Sequence, residues 1–243
     1  MSEKIKISMK ERFILAWLTI LYETKNTIST SSNPELKTIH EKIRKHMVEE
    51  KKEWKRPKYP YYQGYDRIKW TGMRNTEKRI ENYGLHKYLK KDWKVLDIGC
   101  NMGFVSIETS RFVGQVDALD VNPHIVAIGR DTAQFLSAKN VNFFVSQFEE
   151  FNSNNKYDAI FSFANHKTGD GLTDFTIHSY FKKVREYLKP DGLLFFESHN
   201  HNHENWNEVD KALDDFFIKI YEKPLVSENK LMKGRVFRIL KRK

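Results

Sequence analysis

The residues best suited to chemistry follow an apolar run that ends in an acid and turns through two glycines. Asp97 is followed at alternate positions by Gly99, Asn101 and Gly103. Glycine permits a left-handed backbone and the close approach of a ligand, and asparagine tolerates that backbone better than most residues. A helix is predicted over residues 104–112, with its N-terminal amides facing the loop. The pattern therefore predicts a strand-to-helix loop that binds an anionic ligand.

Two classes of nucleotide ligand compete for such a loop. A dinucleotide loop has the pattern G-x-G-x-x-G, and Asn101 stands where its second glycine would touch the pyrophosphate. The series Asp97-x-Gly99-x-Asn101-x-Gly103 instead resembles the first motif of class I S-adenosylmethionine (SAM) methyltransferases, D/E-x-G-x-G-x-G, with asparagine for the central glycine. Glycine spacing alone also fits a tight turn that binds nothing, so the segments that follow decide.

Downstream of the loop, strands and helices are predicted to alternate in the order of this family. The second strand is predicted at 115–121 and carries Asp120, 21 residues after Gly99, where a carboxylate can accept hydrogen bonds from two ribose hydroxyls. Asn122 and Pro123 are predicted to begin the next helix. Three further strands are predicted at 141–146, 157–163 and 193–198. The Leu-Lys-Pro-Asp-Gly segment at 188–192 resembles the L-K-P-G-G turn of the same methyltransferases.

Strands and helices that alternate at this spacing predict an α/β fold, a doubly wound sheet with right-handed crossovers. The ranges 216–221 and 235–240 are predicted to form a closing hairpin. In the family that the chain resembles, such an antiparallel pair completes a mostly parallel, seven-stranded sheet. We therefore expect residues 1–74 to form a basic helical extension and lid, and residues 75–243 to form a SAM-binding methyltransferase domain.

The resemblance implies SAM as the cofactor and suggests how its parts are held. Asp97 would balance the ammonium group, Asp120 would hold the ribose, and Gln147 or Phe148 would border the adenine. The complete set of expected cofactor contacts is Asp97, Gly99, Asn101, Gly103, Asp120, Asn122, Gln147, Phe148 and Phe163.

Histidines follow the fourth and fifth predicted strands, at the edge of the sheet where ligands of such folds bind. His166 is expected to be the general base, because imidazole titrates near neutral pH, although a surface histidine without a role is the alternative. His199 is expected to contact the substrate. Together with His201, His203 and Glu197 it could surround a metal ion. Chance clustering in a polar loop explains the same pattern, and we predict no metal site.

An aromatic segment with proline and glycine lies between the N-terminal helices and the first predicted strand of the sheet. In class I methyltransferases the corresponding segment often closes over SAM and substrate, so this segment resembles a lid. Tyr62, Gln63 and Arg74 are the expected substrate contacts. The alternative is that the tyrosines fill the gap between the helices and the sheet.

The net charge of +10 lies entirely in the N-terminal part of the chain. Residues 1–92 hold 22 basic and 12 acidic side chains, whereas residues 93–243 hold 20 of each. Such an excess favours an anionic partner, although a solvated lysine-rich helix face is the other explanation. We expect Lys51, Lys52, Lys55, Arg56 and Arg74 to face the mouth of the cleft. We expect methyl transfer to an oxygen or nitrogen nucleophile of a small anionic acceptor, such as a phosphorylated metabolite or sugar intermediate, with tRNA as the alternative acceptor.

Short motifs give two weaker resemblances that concern the acceptor. A histidine after the fourth strand and a glutamate at the fifth resemble tRNA wobble-uridine methyltransferases. The Y-Q-G and G-x-R segments at 62–64 and 72–74 resemble methyltransferases of surface-polysaccharide assembly. A SAM-binding module without catalysis and a nicotinamide-binding protein are the alternatives from other classes.

The apolar run at 13–22 is too short to span a bilayer, which needs about 20 residues, and lacks the flanks of a signal peptide. It is predicted to be a helix that packs on the domain or forms a homodimer through the N-terminal helices. Cys100 is the one cysteine, so no disulfide is expected and a cytoplasmic location is predicted.

Overall fold

The computed structural model describes residues 9–54, 61–166, 175–199, 205–225 and 234–243. Within these ranges the helices are α1 (Met9–Thr30), α2 (Pro34–Trp54), α3 (Thr76–Tyr83), α4 (Phe104–Thr109), α5 (Pro123–Phe135), α6 (Ile177–Tyr187) and α7 (Trp206–Phe216). The strands are β1 (Gln63–Gly64), β2 (Arg74–Asn75), β3 (Lys94–Ile98), β4 (Gln115–Asp120), β5 (Val141–Val145), β6 (Tyr157–Phe163), β7 (Leu188–Glu197), β8 (Phe217–Leu225) and β9 (Arg235–Arg242).

Seven of the described strands form one sheet in the order β5-β4-β3-β6-β7-β9-β8. The first five of that order run parallel, and β9 runs antiparallel to both β7 and β8. The strand order reverses direction at β3, so the carboxyl ends of β3, β4 and β6 border the crevice where ligands of such sheets bind. The predicted α/β fold with a seven-stranded, mostly parallel sheet is confirmed.

Local sequence explains where the helices begin. The Asn122 side chain accepts hydrogen bonds from the His124 and Ile125 amides at the start of α5, and Thr176 caps α6 in the same way. Helix α4 ends at Thr109, three residues before its predicted end, because a turn at 110–114 leads directly into β4.

The Leu188–Gly192 segment is not a free turn ahead of the fifth parallel strand, as the sequence suggested. Leu188 already pairs with Tyr157, and pairing resumes between Leu193 and Ala159. The intervening residues form a bulge in which Asp191 has a φ of 62°. The strand therefore starts earlier than expected and carries the irregularity inside it.

The N-terminal extension shares a hydrophobic core with the sheet domain. Ile39 and Ile43 of α2 and Tyr65 and Trp70 of the following segment are buried. They belong to one cluster with Met102, Phe104, Ile107, Ile128 and Ala133 from the region of α4 and α5. The extension thus packs against the side of the sheet domain that carries α4 and α5.

Helix α1 includes the apolar run at 13–22. Phe13, Trp17 and Ile20 are 76%, 58% and 67% exposed, and their spacing places them on one face of the helix. A homodimer through this helix remains a prediction. Among the described residues, no helix is both long and apolar enough to cross a membrane.

Candidate active site

The loop after β3 adopts the conformation that its residue types predict. Gly99, Asn101 and Gly103 have φ values of 66°, 54° and 70°, all in the left-handed region. The Asn101 side chain accepts a hydrogen bond from the Met102 amide at 2.9 Å, which stabilises a conformation that other side chains adopt rarely. Asparagine can therefore replace the central glycine without loss of the loop.

Asp120, at the end of β4, holds the loop as well as facing the crevice. Its Oδ2 accepts a hydrogen bond from the Asn101 amide at 3.0 Å, and its Oδ1 accepts one from the Asn122 amide at 3.1 Å. The carboxylate of Asp120 is thus fixed in position by the same contacts that order the loop.

Asp97 is a buried carboxylate at the base of the loop. It is 2% exposed, and Ser106 Oγ donates a hydrogen bond to its Oδ2 at 2.5 Å. Burial raises the pKa of Asp97 to about 6, and Arg79 and the Ser106 hydroxyl offset only part of this effect. A carboxylate with so little compensation would be stabilised in its ionised form by a cationic ligand group.

Asn165 occupies the space that a side chain at Gly99 would need. A Cβ there would lie 2.7 Å from Asn165 Nδ2, which donates a hydrogen bond to the Ile98 carbonyl. Asn165 Oδ1 accepts hydrogen bonds from Ser162 at 2.8 Å and from Tyr180 at 3.1 Å. The glycine permits a close approach, as predicted, but in this structure the approaching group is a side chain that follows β6.

The other expected cofactor contacts differ in how accessible they are. Asn122 is 5% exposed, caps α5 and donates to Glu50 of α2 at 3.0 Å. Gln147 is half-buried after β5, whereas Phe148 is 6% exposed and packs against Tyr180 in the core. Gln147 is thus the more accessible of the two residues expected beside adenine.

A second group of polar residues gathers around Glu197, which is fully buried at the end of β7. Arg74 contacts both carboxylate oxygens of Glu197, with Nη1 3.0 Å from Oε1 and Nη2 3.1 Å from Oε2. Arg79 Nη2 lies 2.6 Å from Oε2, Arg235 Nη1 lies 2.7 Å from Oε1, and the Tyr83 hydroxyl donates to Oε2. We call these five residues the Glu197 cluster.

Three guanidinium groups and one carboxylate leave the Glu197 cluster with two excess positive charges. Burial alone would raise the pKa of Glu197, but Arg74, Arg79 and Arg235 hold it well below its usual value. The carboxylate is therefore ionised over the physiological range. The excess charge lies at the carboxyl end of the sheet, beside Phe163, whose ring lies 4.7 Å from the Arg79 guanidinium.

The donors of Arg74 are largely engaged in this structure. In addition to the bidentate contact with Glu197, Arg74 Nη1 donates to the Tyr62 hydroxyl at 3.0 Å and Arg74 Nη2 donates to the Tyr83 hydroxyl at 2.9 Å. The expectation that the Arg74 fork would be open to a substrate is therefore not met in this structure. Arg235 differs, because its Nε is buried and has no hydrogen-bond partner among the described residues.

The remaining expected substrate and catalytic residues surround the same edge of the sheet. Gln63 is 4% exposed and follows Tyr62 directly in the chain. His166 is 2% exposed, and its ring centre lies 4.9 Å from that of Phe196 and 6.0 Å from that of Phe181. His199 is half-buried, and its ring centre is 4.9 Å from that of His166.

Several sequence expectations fall on residues that the structure does not describe. His201, His203, Lys55 and Arg56 lie outside the described residues. Among the residues that are described, no group of three or more histidine, cysteine or acidic side chains could hold a metal ion.

Sequence reasoning missed Arg79, Tyr83, Arg235 and Asn165. Arg79 and Tyr83 lie four residues apart on one face of α3, which is a signal that could have been noticed. Arg235 joins them only because β9 returns beside β7, where Phe237 pairs with Glu197. No local pattern indicates that contact.

Comparisons with known proteins agree with the fold. The profile of a family described as a methyltransferase domain matches residues 89–242. The chain therefore belongs to this family, and its sheet has the class I methyltransferase fold.

Individual relatives are more distant. Malonyl-[acyl-carrier protein] O-methyltransferase 1 of Ilyobacter polytropus is 32% identical over 93 residues, which are 37% of this chain and 34% of that protein. A relative from Geobacillus sp. (strain WCH70), named as a methyltransferase, is 23% identical over 124 residues, 51% of this chain and 48% of its own length. The chain thus spans between a third and a half of these curated relatives.

A solved structure with the same fold is the N-methyltransferase NodS of Bradyrhizobium japonicum WM9 in complex with S-adenosylhomocysteine. The TM-score is 0.56 at 16% identity, over 68% of this chain and 84% of that one. At this identity the likeness supports the fold.

Proposed function

We propose that the protein transfers the methyl group of SAM to an oxygen or nitrogen nucleophile of a small anionic acceptor. The observation that carries the acceptor class is the excess of two positive charges in the Glu197 cluster. The name of the Ilyobacter relative, an O-methyltransferase, makes an oxygen nucleophile the first to test.

The residues around the glycine loop suit SAM in charge and shape. Asp120 would accept hydrogen bonds from the ribose hydroxyls, Asp97 would face the ammonium group, and Gln147 would border the adenine. The methionyl end would lie against the loop at 99–103, with the Phe163 backbone beside it. When bound, SAM supplies a methyl group on a positively charged sulfur, ready for displacement by a nucleophile.

This placement predicts that SAM affinity falls as the pH is lowered through the pKa of Asp97. Because an ammonium group favours the ionised carboxylate, binding must displace the proton when Asp97 is protonated. With a pKa of about 6, the dissociation constant should rise about tenfold between pH 7 and pH 5. Titration calorimetry with SAM at both pH values measures the change.

Asp97→Asn is the matched variant for this measurement. It should bind SAM more weakly at pH 7 and lose most of the pH dependence, since the titrating group is gone. An equally steep pH dependence in Asp97→Asn would assign the effect to another group and contradict the ammonium contact.

The order of the strands indicates where the acceptor would lie. The ribose site is at the end of β4 and the methionyl end at β3 and β6, so the methyl group would point toward β7. Adjacent strands lie ~4.8 Å apart, which places Glu197 roughly 10 Å from the β3 loop. An acceptor of a few atoms could bridge from the methyl group to the Glu197 cluster.

Arg235 is the residue of the Glu197 cluster best able to bind an anion, because its Nε has an unused proton. The variant Arg235→Gln should raise the KM for an anionic acceptor by roughly 10- to 100-fold, because the acceptor would lose a hydrogen bond to a charged group. The dissociation constant for SAM should stay unchanged. Arg130→Gln, an exposed arginine on α5, is the control and should change neither value. Weaker SAM binding by Arg235→Gln would instead assign the arginines to the cofactor's carboxylate.

Release of S-adenosylhomocysteine tests the function itself. The acceptors are a panel of small carboxylates and phosphates that carry hydroxyl or amino groups, and bulk tRNA. We expect turnover of a small acceptor with a shallow salt dependence. Turnover of tRNA alone would instead make tRNA the acceptor, bound through the basic extension. That turnover should fall steeply as the salt concentration rises and in the double variant Lys51→Gln/Lys52→Gln. SAM binding without any turnover would favour a non-catalytic module.

The sequence assigns the proton acceptor of this reaction to His166, and that assignment remains a proposal. The imidazole is near the end of β6, as a base must be. The residue, however, is only 2% exposed, and its ring contacts those of Phe181 and Phe196. An acceptor could reach it only after a change of conformation.

A further inference from the structure

The Glu197 cluster has a buried base and a more accessible outer side. Glu197, Arg79 and Tyr83 are each less than 9% exposed and form the base. Arg74 and Arg235 are partly exposed, and Tyr62 lies beside Arg74 with a ring that is also partly exposed. The outer side therefore consists of two guanidinium groups and one phenol.

Tyr62 is held in place by both its backbone and its hydroxyl. Its carbonyl accepts a hydrogen bond from the Arg74 amide at 3.0 Å, and the neighbouring Tyr61 carbonyl accepts one from the Met73 amide at 2.7 Å. The Tyr62 hydroxyl accepts a hydrogen bond from Arg74 Nη1 at 3.0 Å. A guanidinium that donates to the phenol oxygen stabilises negative charge on it.

We propose that Tyr62 is the general base of the methyl transfer, receiving the proton of the acceptor's hydroxyl or amino group while Arg235 binds its anionic group. This inference rests on the proposed function. It differs from the assignment of the base to His166 because Tyr62 is partly exposed whereas His166 is 2% exposed, and because Tyr62 lies next to the excess positive charge and belongs to the segment that resembles a lid.

The step is balanced as follows for a hydroxyl acceptor. A lone pair of the acceptor oxygen forms the new O–C bond to the methyl carbon, and the C–S bond breaks with its electron pair retained by sulfur. The products are the methyl ether and S-adenosylhomocysteine. The acceptor's proton passes to the ionised Tyr62 oxygen, which becomes a neutral phenol and later releases the proton to solvent.

The charges that surround Tyr62 favour its ionised form. Burial and the Glu197 carboxylate raise the pKa of Tyr62, but the guanidinium groups of Arg74, Arg235 and Arg79 outweigh them, so the pKa lies below its usual value of 10. The bond from Arg74 to the phenol oxygen becomes stronger when the oxygen is charged. The phenolate is thus more populated near neutral pH than that of an exposed tyrosine.

A spectrophotometric titration of the ligand-free protein tests this ionisation without any acceptor. Phenolate absorbance is followed from pH 6 to pH 10 in the native protein, Tyr62→Phe and Tyr221→Phe. Tyr221, 40% exposed on β8, is the matched control. We expect Tyr62→Phe to lack a phenol that ionises below pH 10 and Tyr221→Phe to retain it. Identical titrations of Tyr62→Phe and the native protein below pH 10 would overturn the proposal.

Turnover of the panel of small carboxylates and phosphates then separates Tyr62 from His166. For the acceptor that the native protein methylates, Tyr62→Phe should lose on the order of 10²–10⁴ in kcat and the acid limb of the pH profile. His166→Gln should keep that limb. Full activity in Tyr62→Phe with loss in His166→Gln would return the role to His166. If no panel member is methylated, both the proposed acceptor class and the role of Tyr62 are overturned. The titration would still show whether the pKa of Tyr62 lies below 10.

Discussion

SAM should bind to an Asp120→Ala variant about 10²–10⁴-fold more weakly than to the native protein. The ribose hydroxyls would lose two charge-assisted hydrogen bonds, on the order of 1.5–3 kcal/mol each. The structure adds a second cause, because the Asn101 and Asn122 amides would lose the oxygens that hold the loop after β3. Titration calorimetry with SAM and with S-adenosylhomocysteine measures the loss, which should be similar for both ligands.

Asp92→Ala is the control, since Asp92 is an exposed acid just before β3 and outside the crevice. It should bind SAM as the native protein does. Thermal unfolding shows whether Asp120→Ala still folds, which we expect because the side chain lies at the edge of the sheet. A folded Asp120→Ala protein with native affinity for SAM would exclude Asp120 from the cofactor site.

The fold could be predicted from the sequence because each of its signals is local. A buried strand ends in Asp97, a glycine loop leads into a helix, and Asn122 caps the next helix. The antiparallel pair at the end of the chain was visible from its alternating apolar residues, although β8 and β9 extend further than those residues indicate. Alternation of strands and helices then leaves few topologies open.

The loop after β3 could be predicted in conformation but not in its contacts. Left-handed φ at Asn101 follows from the residue type. The presence of Asn165 against Gly99 does not, because it depends on how the segment after β6 packs on a neighbouring strand. Sequence identifies positions where close approach is possible, whereas only the fold shows what approaches.

The Glu197 cluster shows the limit of sequence reasoning more sharply. Arg74 was identified as an anion-binding residue, but its fork is engaged by a carboxylate 123 residues away in the chain. Arg235 reaches the same carboxylate from a strand that inserts between β7 and β8. The charges of single residues are visible in a sequence, but their sum at one point of the fold is not.

Glu197→Gln should lower the free energy of unfolding by roughly 3–5 kcal/mol, because the cluster would keep three guanidinium groups without their shared counter-charge. The substitution preserves the shape of the side chain, so the loss reports charge rather than packing. Arg74, Arg79 and Arg235 are each less than 13% exposed in their side chains, and water can therefore replace the carboxylate only in part. Chemical denaturation at neutral pH measures the difference.

The pH dependence of that difference tests its electrostatic origin. The pKa of Glu197 is well below its unfolded value of about 4.3, so the carboxylate stabilises the fold above that pH and loses this contribution as the pH falls through its folded pKa. The gap in stability between native protein and Glu197→Gln should therefore be constant from pH 8 to about pH 5 and shrink in stronger acid. Glu222→Gln is the control, because Glu222 pairs with Arg238 at 2.6 Å but is 37% exposed, and it should cost at most about 1 kcal/mol. A Glu197→Gln protein as stable as Glu222→Gln would mean that the three arginines do not depend on this carboxylate, and the excess charge proposed to bind the acceptor would then be compensated elsewhere.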